Sequence, residues 1–478
     1  MHYVKNICIV GGGSAGWLTA AYLTNQLPQY NITLVESPII PKLGVGEAAL
    51  ISFVDFLERC GVVSEEEFMK ETKATFKCGI LFKDWVNEGK DIWHPFANTT
   101  LKNGLHLGDY YSVNKHNSEV FKEKIIPYYT HCVKNNYITS NRSYHFDANL
   151  LADYLKKKTV NKLNYYLNNV EKVNVENNYI NSIELDTGEN IEASIFIDCT
   201  GFRNTISKNI VGDEWIDKSD MLFCNAAVTR RFKYNNINKE MTPYTISQAC
   251  DLGWIFKIPV ADRIGSGLLY NSNLTSKKEA EKFLVNHWGE DRLEDKNTDF
   301  NHIKFKPVYN KNTWKTNVIS IGVSNGFAEP LESSSIHLTT DVIEHLTGRI
   351  RKGYYTSSDI AILNNRISQK FEETYDFIAL HYLNNERDSI FWNHIKNNIK
   401  ITDTLNYKIK SYVDNGIHDW DMDDGIIFAP HSWFIMFESL KFNNTMLIDE
   451  DQKIDELNRE LYNLSEKFNI TNNECLNG

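Results

Sequence analysis

The sequence predicts an α/β fold with a dinucleotide-binding, Rossmann-like core, an inserted antiparallel β-sheet and a mostly helical C-terminal region. Three observations predict it. The apolar, β-branched run Ile7-Cys8-Ile9-Val10 passes without a break into Gly11-Gly12-Gly13-Ser14-Ala15-Gly16, and then into an apolar helical stretch from Leu18 to Leu23. From roughly Met221 to Pro307 the pattern changes to alternating, aromatic-rich segments with turns between them, as an antiparallel sheet requires. From about Thr340 onward the apolar spacing is helical.

The first strand, turn and helix come in the order a dinucleotide needs. Gly11 permits the tight turn, Gly13 lets the backbone approach a pyrophosphate, and Gly16 lets helix pack closely on strand. The pyrophosphate then rests on free N–H groups at the positive end of the helix. A second strand, Ile32-Thr33-Leu34-Val35, ends in Glu36, twenty residues after Gly16, where a carboxylate can take ribose hydroxyls. Next comes a Pro- and Gly-punctuated loop from Pro38 to Ala48; its close glycines, Gly44 and Gly46, suit backbone that approaches a flat ligand.

Phe76 to Trp85 alternates as a strand does, with Phe76, Cys78, Ile80 and Phe82 on one face and Lys77, Gly79 and Leu81 on the other. On these residues alone, Lys77 reads as a solvated lysine on an amphipathic strand. Trp93-His94-Pro95-Phe96 is an aromatic cluster in a loop, either a hydrophobic plug or part of a pocket for a planar substrate. Asp147 precedes an apolar helix as its N-cap. Ser194 to Gly201 reads as a return strand that completes the dinucleotide sheet. Within the inserted sheet, Trp254 and Phe256 are two residues apart, so they share a face and could wall a cavity. Val318 to Gly322 resumes the core. It leads into Glu329-Pro330-Leu331-Glu332-Ser333-Ser334-Ser335-Ile336, a helix start whose free N–H groups attract anions. Helical segments follow from Phe371 to Trp392 and around Trp420 and His431 to Phe434. The division that results is a discontinuous core over about 1–345, carrying the inserted sheet at about 215–310, and a mainly helical region over about 346–478.

A chain of 478 residues can bury a large core. Its 51 Lys and Arg against 62 Asp and Glu give a net charge of −11, which argues against a nucleic-acid partner. No run of about eighteen apolar residues would span a membrane. The start, Met1 to Lys5, leads straight into the first strand, so a cytoplasmic location is expected. The eight cysteines show no CxxC spacing, so neither a metal centre nor a disulfide framework is expected.

Several of these stretches, in order along the chain, resemble one family. Gly11-Gly12-Gly13-Ser14-Ala15-Gly16-Trp17 is similar to the GGGxAGW fingerprint of flavin-dependent halogenases of the tryptophan halogenase type. Gly44-Val45-Gly46-Glu47-Ala48 resembles their GVGEA loop, Gly253 to Pro259 their GWxWxIP motif, and Glu329 to Ser333 their EPLES segment. Asp376 to Tyr382 and Arg387 to Trp392 are similar to their DFIxLHY and RxDxxFW runs.

The resemblance implies an FAD-type core and an FADH2-dependent halogenase. With O2 and a halide (chloride, bromide or iodide) it would make hypohalous acid and halogenate an electron-rich aromatic, indole-like or phenolic. A separate flavin reductase would supply FADH2, and self-association is left open. By the same resemblance Lys77 is the catalytic lysine, which hydrogen-bonds hypohalous acid or forms a haloamine with it. Glu332 is its partner carboxylate, which stabilises the cationic ring intermediate and takes up its proton. Cofactor contacts fall on Gly11, Gly12, Gly13, Ser14, Ala15, Gly16, Glu36, Lys42, Val45, Glu47, Ala48, Gly322, Val323, Leu331 and Ile336. The backbone around Ser334 and Ser335 would hold the halide, and His94, Phe96, Trp254 and Phe256 would form the substrate pocket beneath the helical region.

The chain departs from the family pattern in three places. Phe256 stands where the motif has its second tryptophan, and Ser334-Ser335 replaces Thr-Gly, which leaves halide preference open. The C-terminal residues that clamp tryptophan in tryptophan-specific members find no match, so other indoles and phenols stand beside tryptophan as substrates. Two further readings remain: a flavin monooxygenase that hydroxylates an aromatic directly, and a flavin-binding protein without turnover.

Overall fold

The structure, a computed structural model, describes residues 1–40, 46–96, 133–136, 138–139, 141–210, 212, 214–296, 298–415 and 427–442. Lys42, Gly44, Val45 and Trp420 lie outside the described residues.

The expected α/β fold is what forms. Its core is a six-stranded sheet in the order Trp314–Lys315, Val318–Ser320, Ile195–Asp198, Asn6–Val10, Asn31–Glu36, Asn164–Leu167. All neighbours are parallel except the first pair, a short hairpin. Ile7, Ile9, Ile195 and Ile197 are fully buried, as expected for strands covered on both faces. The chain leaves Asn6–Val10 towards Asn31–Glu36 on one side, and Ile195–Asp198 pairs on the other. The switch point, where ligands of such sheets bind, therefore lies at the carboxyl ends of Val10 and Asp198. There the helix Ser14–Gln26 begins at Gly13 with no side-chain cap.

The second large sheet has seven strands, in the order Asn301–Lys304, Ala226–Phe232, Arg263–Tyr270, Gly253–Val260, Thr245–Cys250, Gly79–Lys83, Ile92–Pro95. Pairing is antiparallel throughout except between Thr245–Cys250 and Gly79–Lys83. Its last two strands come from the N-terminal part of the chain.

The single strand expected from Phe76 to Trp85 is instead two strands in different sheets. Thr75–Lys77 joins a small sheet with Ser143–Phe146 and Glu47–Ala48, whereas Gly79–Lys83 enters the seven-stranded one. Cys78 is the crossing point, its N–H bonded to the carbonyl of Pro243 at 2.7 Å. Gly79 follows because a Cβ there would lie 2.8 Å from the backbone of His94 and Pro95.

The later helices, Ser334–Ile350, Ser357–Tyr382, Ile390–Asn398, Asp403–Asn415 and Pro430–Ser439, pack against these sheets. Two buried tryptophans tie the layers together with their polar ends satisfied. Trp392 Nε1 donates to the carbonyl of Cys250 (2.8 Å), and Trp85 Nε1 to that of His381 (2.7 Å). No helix among the described residues is long and apolar enough to cross a membrane.

Candidate active site

A cavity of about 370 Å3 opens at the switch point. Of the residues expected at a cofactor, Gly13, Ser14, Ala15, Glu47, Ala48, Gly322, Val323 and Ile336 line it, with Ser335 and Phe256. Gly11, Gly12 and Gly16 stand behind this wall, where side chains have no room. A Cβ at Gly11 would sit 2.4 Å from the carbonyl oxygen of Cys199, at Gly12 2.1 Å from Glu36 Cγ, and at Gly16 1.9 Å from the carbonyl oxygen of Gly11. A Cβ at Gly13 would meet nothing within 4 Å. Tight glycines behind, an open glycine in front and an uncapped helix start are the shape that cradles a pyrophosphate, so the residues present fit an FAD. Glu36 ends its strand against Gly12, its Oε2 accepting from Lys156 Nζ (3.0 Å) and Tyr165 (2.9 Å). Burial pushes the Glu47 carboxyl up to about 7. Leu331 is fully buried in the core.

At the far wall of this cavity is the turn Pro330–Glu332, followed by Ser333 at φ 58° and the helix Ser334–Ile350. Pro330, Ser333 and Ser335 face the cavity. Glu332 turns its carboxylate elsewhere, to two histidines. No side chain caps the helix, and the Ser334 hydroxyl is buried without a partner, which leaves donors free for an anion.

Beyond the turn lies a dry cluster. Lys77 is fully buried, not solvated. Its strand pairs with Ser143–Phe146, and its Nζ sits 5.0 Å from the centre of the Phe96 ring with no hydrogen-bond partner. Burial holds the ammonium down to about 7, while Glu332 pulls the other way. Glu332, 1 % exposed, would be pushed up by burial, but His94 and His381 hold it at about 2. His94 Nδ1 lies 3.1 and 3.0 Å from its two oxygens, and His381 Nε2 2.7 Å from Oε1. His94 Nε2 meets Ser432 Oγ at 2.9 Å, so the helix Pro430–Ser439 helps to close the site.

Trp254 and Phe256 do share one face of their strand, with Ile255 on the other, but their surroundings differ. Phe256 lines the cavity. Trp254 does not: its indole is fully buried and donates to Glu329 Oε2 at 3.2 Å, beside the hydroxyl of Tyr382 at 2.6 Å. Glu329, fully buried, is pushed up to about 7 by burial.

Sequence reasoning assigned no role to His381, Ser432 or Glu329. A lone histidine on a long helix carries no signal of its partner, and Ser432 reaches the site only because a distant helix folds back. Glu329 was visible as a motif residue, but its buried surroundings were not.

A cavity at the switch point, with a buried lysine and carboxylate behind its wall, is the arrangement that the resemblance to flavin-dependent halogenases leads one to expect. The chain belongs to the tryptophan halogenase family: the family model described as Tryptophan halogenase matches residues 6–447. It is 30% identical over 446 residues to the tryptophan 6-halogenase ThaL of Streptomyces albogriseolus, covering 86% of this chain and 82% of that one. It is 30% identical over 445 residues to the tryptophan 7-halogenase RebH of Lentzea aerocolonigenes, with the same coverage of 86% and 82%. The crystal structure of the tryptophan 6-halogenase SttH from Streptomyces toxytricini superposes with a TM-score of 0.87 at 27% identity, over 98% of this chain and 97% of that one. A flavin-dependent halogenase from Xanthomonas campestris gives a TM-score of 0.86 at 27% identity, over 98% and 96%.

Proposed function

We propose that this protein halogenates an electron-rich aromatic by means of Lys77, with free tryptophan the first candidate because its named relatives are tryptophan halogenases. One observation carries the reading: a fully buried Lys77 Nζ without a hydrogen-bond partner, under the electrostatic influence of Glu332, whose turn also walls the cofactor cavity at Pro330 and Ser333. Reduced FAD, supplied by a separate reductase, would provide hypohalous acid from O2 and halide in that cavity. Gly13, Ser14 and Ala15 hold the pyrophosphate on the free N–H groups of their helix. The uncapped helix start at Ser334 and Ser335 holds the halide.

Lys77, poised between ammonium and amine near pH 7, can act in two ways. The ammonium donates to the oxygen of hypohalous acid, so that charge developing there on halogen transfer is stabilised. The amine takes the halogen, forming an N–X bond as the O–X bond breaks and water leaves. In either case the halogen is delivered from one fixed point, which sets the ring position attacked. Glu332, kept ionised by its histidines, stabilises the cationic ring that follows. A halogenated arenium ion is acidic enough to lose its proton to so weak a base, and rearomatises. His94 and Phe96 flank the cluster as pocket walls.

The test is to incubate the protein with reduced FAD, O2, mixed halides and a panel of tryptophan, other indoles and phenols, reading isotope patterns by mass spectrometry. A halide-dependent product that disappears in Lys77→Ala, while flavin oxidation continues, supports the reading. A hydroxylated product independent of halide points to a monooxygenase, and no product with any substrate or halide to a flavin-binding protein.

A further inference from the structure

The hydrogen bonds of His381 narrow its charge to two arrangements. Its Nδ1 lies 2.7 Å from the carbonyl oxygen of Phe377, one turn back on the same helix. A carbonyl only accepts, so Nδ1 carries a proton. Its Nε2 lies 2.7 Å from Glu332 Oε1. Either this nitrogen also carries a proton and the ring is an imidazolium, or Glu332 is a carboxylic acid whose O–H on Oε1 donates to it.

His94 meets the same carboxylate, its Nδ1 lying 3.1 Å from Oε1 and 3.0 Å from Oε2 of Glu332. An ionised carboxylate can accept from both rings at once, and with the proton on the ring of His381 neither oxygen of Glu332 is lost as an acceptor.

We propose that His381 is a positioning residue held as an imidazolium, whose charge, paired with the Glu332 carboxylate, leaves the amine of Lys77 without a salt bridge. The low proton affinity of Glu332, held at about 2 despite burial, agrees with this. The groups that bear on His381 are few. Glu332 faces it directly, and His94 and Lys77 act through that carboxylate. Tyr382, one residue further along the helix, donates to Glu329. The remaining neighbours are aromatic: Phe82, Trp85 and Phe377 stand at 64 to 88° to the imidazole, with ring centres 4.8 to 6.5 Å away.

The chemistry follows from electrostatic balance. Glu332 alone would draw the buried ammonium of Lys77 into a closed pair and keep it protonated. With its charge answered by His381, it raises the proton affinity of Lys77 only in part. This consequence rests on the role given above to Lys77, whereas the charge state of His381 does not.

The two parts are tested separately. In the full-length wild-type protein carrying 15N-labelled histidine rings, NMR at neutral pH should show both nitrogens of His381 protonated. A ring with a single protonated nitrogen at neutral pH would overturn the proposal, whatever Lys77→Ala does to halogenation. The signal is assigned by its loss in His381→Gln. Should that variant not fold, neutron diffraction from wild-type crystals reads the same two ring protons. His381→Gln can keep an N–H donor to Glu332 but carries no charge. The limb of the kcat/KM pH profile set by Lys77 should then rise by about one pH unit, with flavin oxidation unchanged. An unmoved limb would show that the histidine matters for position alone and would overturn the electrostatic part.

Discussion

Lys77 holds its Nζ 5.0 Å from the centre of the Phe96 ring, in a site from which solvent is excluded and where the nitrogen has no hydrogen-bond partner. A lysine so placed destabilises the fold unless something repays the burial of its charge.

The penalty can be measured. The folded protein holds Lys77 at about 7, against an ordinary value of 10.5. Between these values the unfolded chain binds more protons, so stability rises with pH across the window. The penalty is complete below about 7 and gone above 10.5. Lys77→Met keeps the stem and removes the charge. It should be more stable than wild type at pH 7 by a few kcal/mol, at roughly 1.4 kcal/mol for each pH unit that separates the folded and unfolded values, with the gap narrowing towards pH 10. Urea unfolding at several pH values reads the gap, and a constant difference would show that charge burial is not its source.

Glu329 behaves in the opposite sense. Its carboxyl is raised from 4.5 to about 7, so the folded state binds the extra proton and stability falls as pH climbs between those values. Glu329→Gln keeps an acceptor for Trp254 and Tyr382 without the charge. It should raise the melting temperature at pH 8 and leave it unchanged near pH 4.5. Thermal unfolding at both values checks this, and equal gains at the two would contradict it.

Glu332→Gln removes the negative charge from the dry cluster while leaving its size unchanged. Halogenation should fall by about 10²-fold or more, with flavin affinity unaltered because Glu332 does not face the cofactor cavity. Product formation and flavin titration are the two measurements, and weakened flavin binding would place the residue on the other side of the turn.

The glycine turn makes a paired prediction. Gly13→Ala has open space within 4 Å, so it should fold normally but weaken FAD binding by about tenfold as the methyl enters the pyrophosphate path. Gly12→Ala would place its methyl 2.1 Å from Glu36 Cγ, so it should lower the melting temperature even without cofactor. Flavin fluorescence and thermal unfolding distinguish the two, and similar behaviour of both variants would refute the cradle.

The core of the fold was legible because its signals are local. Strand, glycine turn and helix follow one another in the chain, and Glu36 falls at a fixed distance from Gly16. The inserted sheet showed itself by its alternation, though not that strands from 79–83 and 92–95 complete it. From its neighbours alone Lys77 reads as solvated, because the sheet change at Cys78, which sends Thr75–Lys77 into the interior, leaves no mark on the alternation. The bonds from His94 and His381 to Glu332 join residues 238 and 49 positions apart. No spacing rule reaches that far, and only a packed structure brings them together.

The turn after Glu329 serves two rooms at once. Ser333 and Ser335 furnish one, and Glu332, between Pro330 and Ser333, furnishes the other. Any substitution that reshapes this party wall for a different anion will also tilt the carboxylate on its reverse side. Selection for a new halide and selection for a new ring position would therefore be expected to drag one another along.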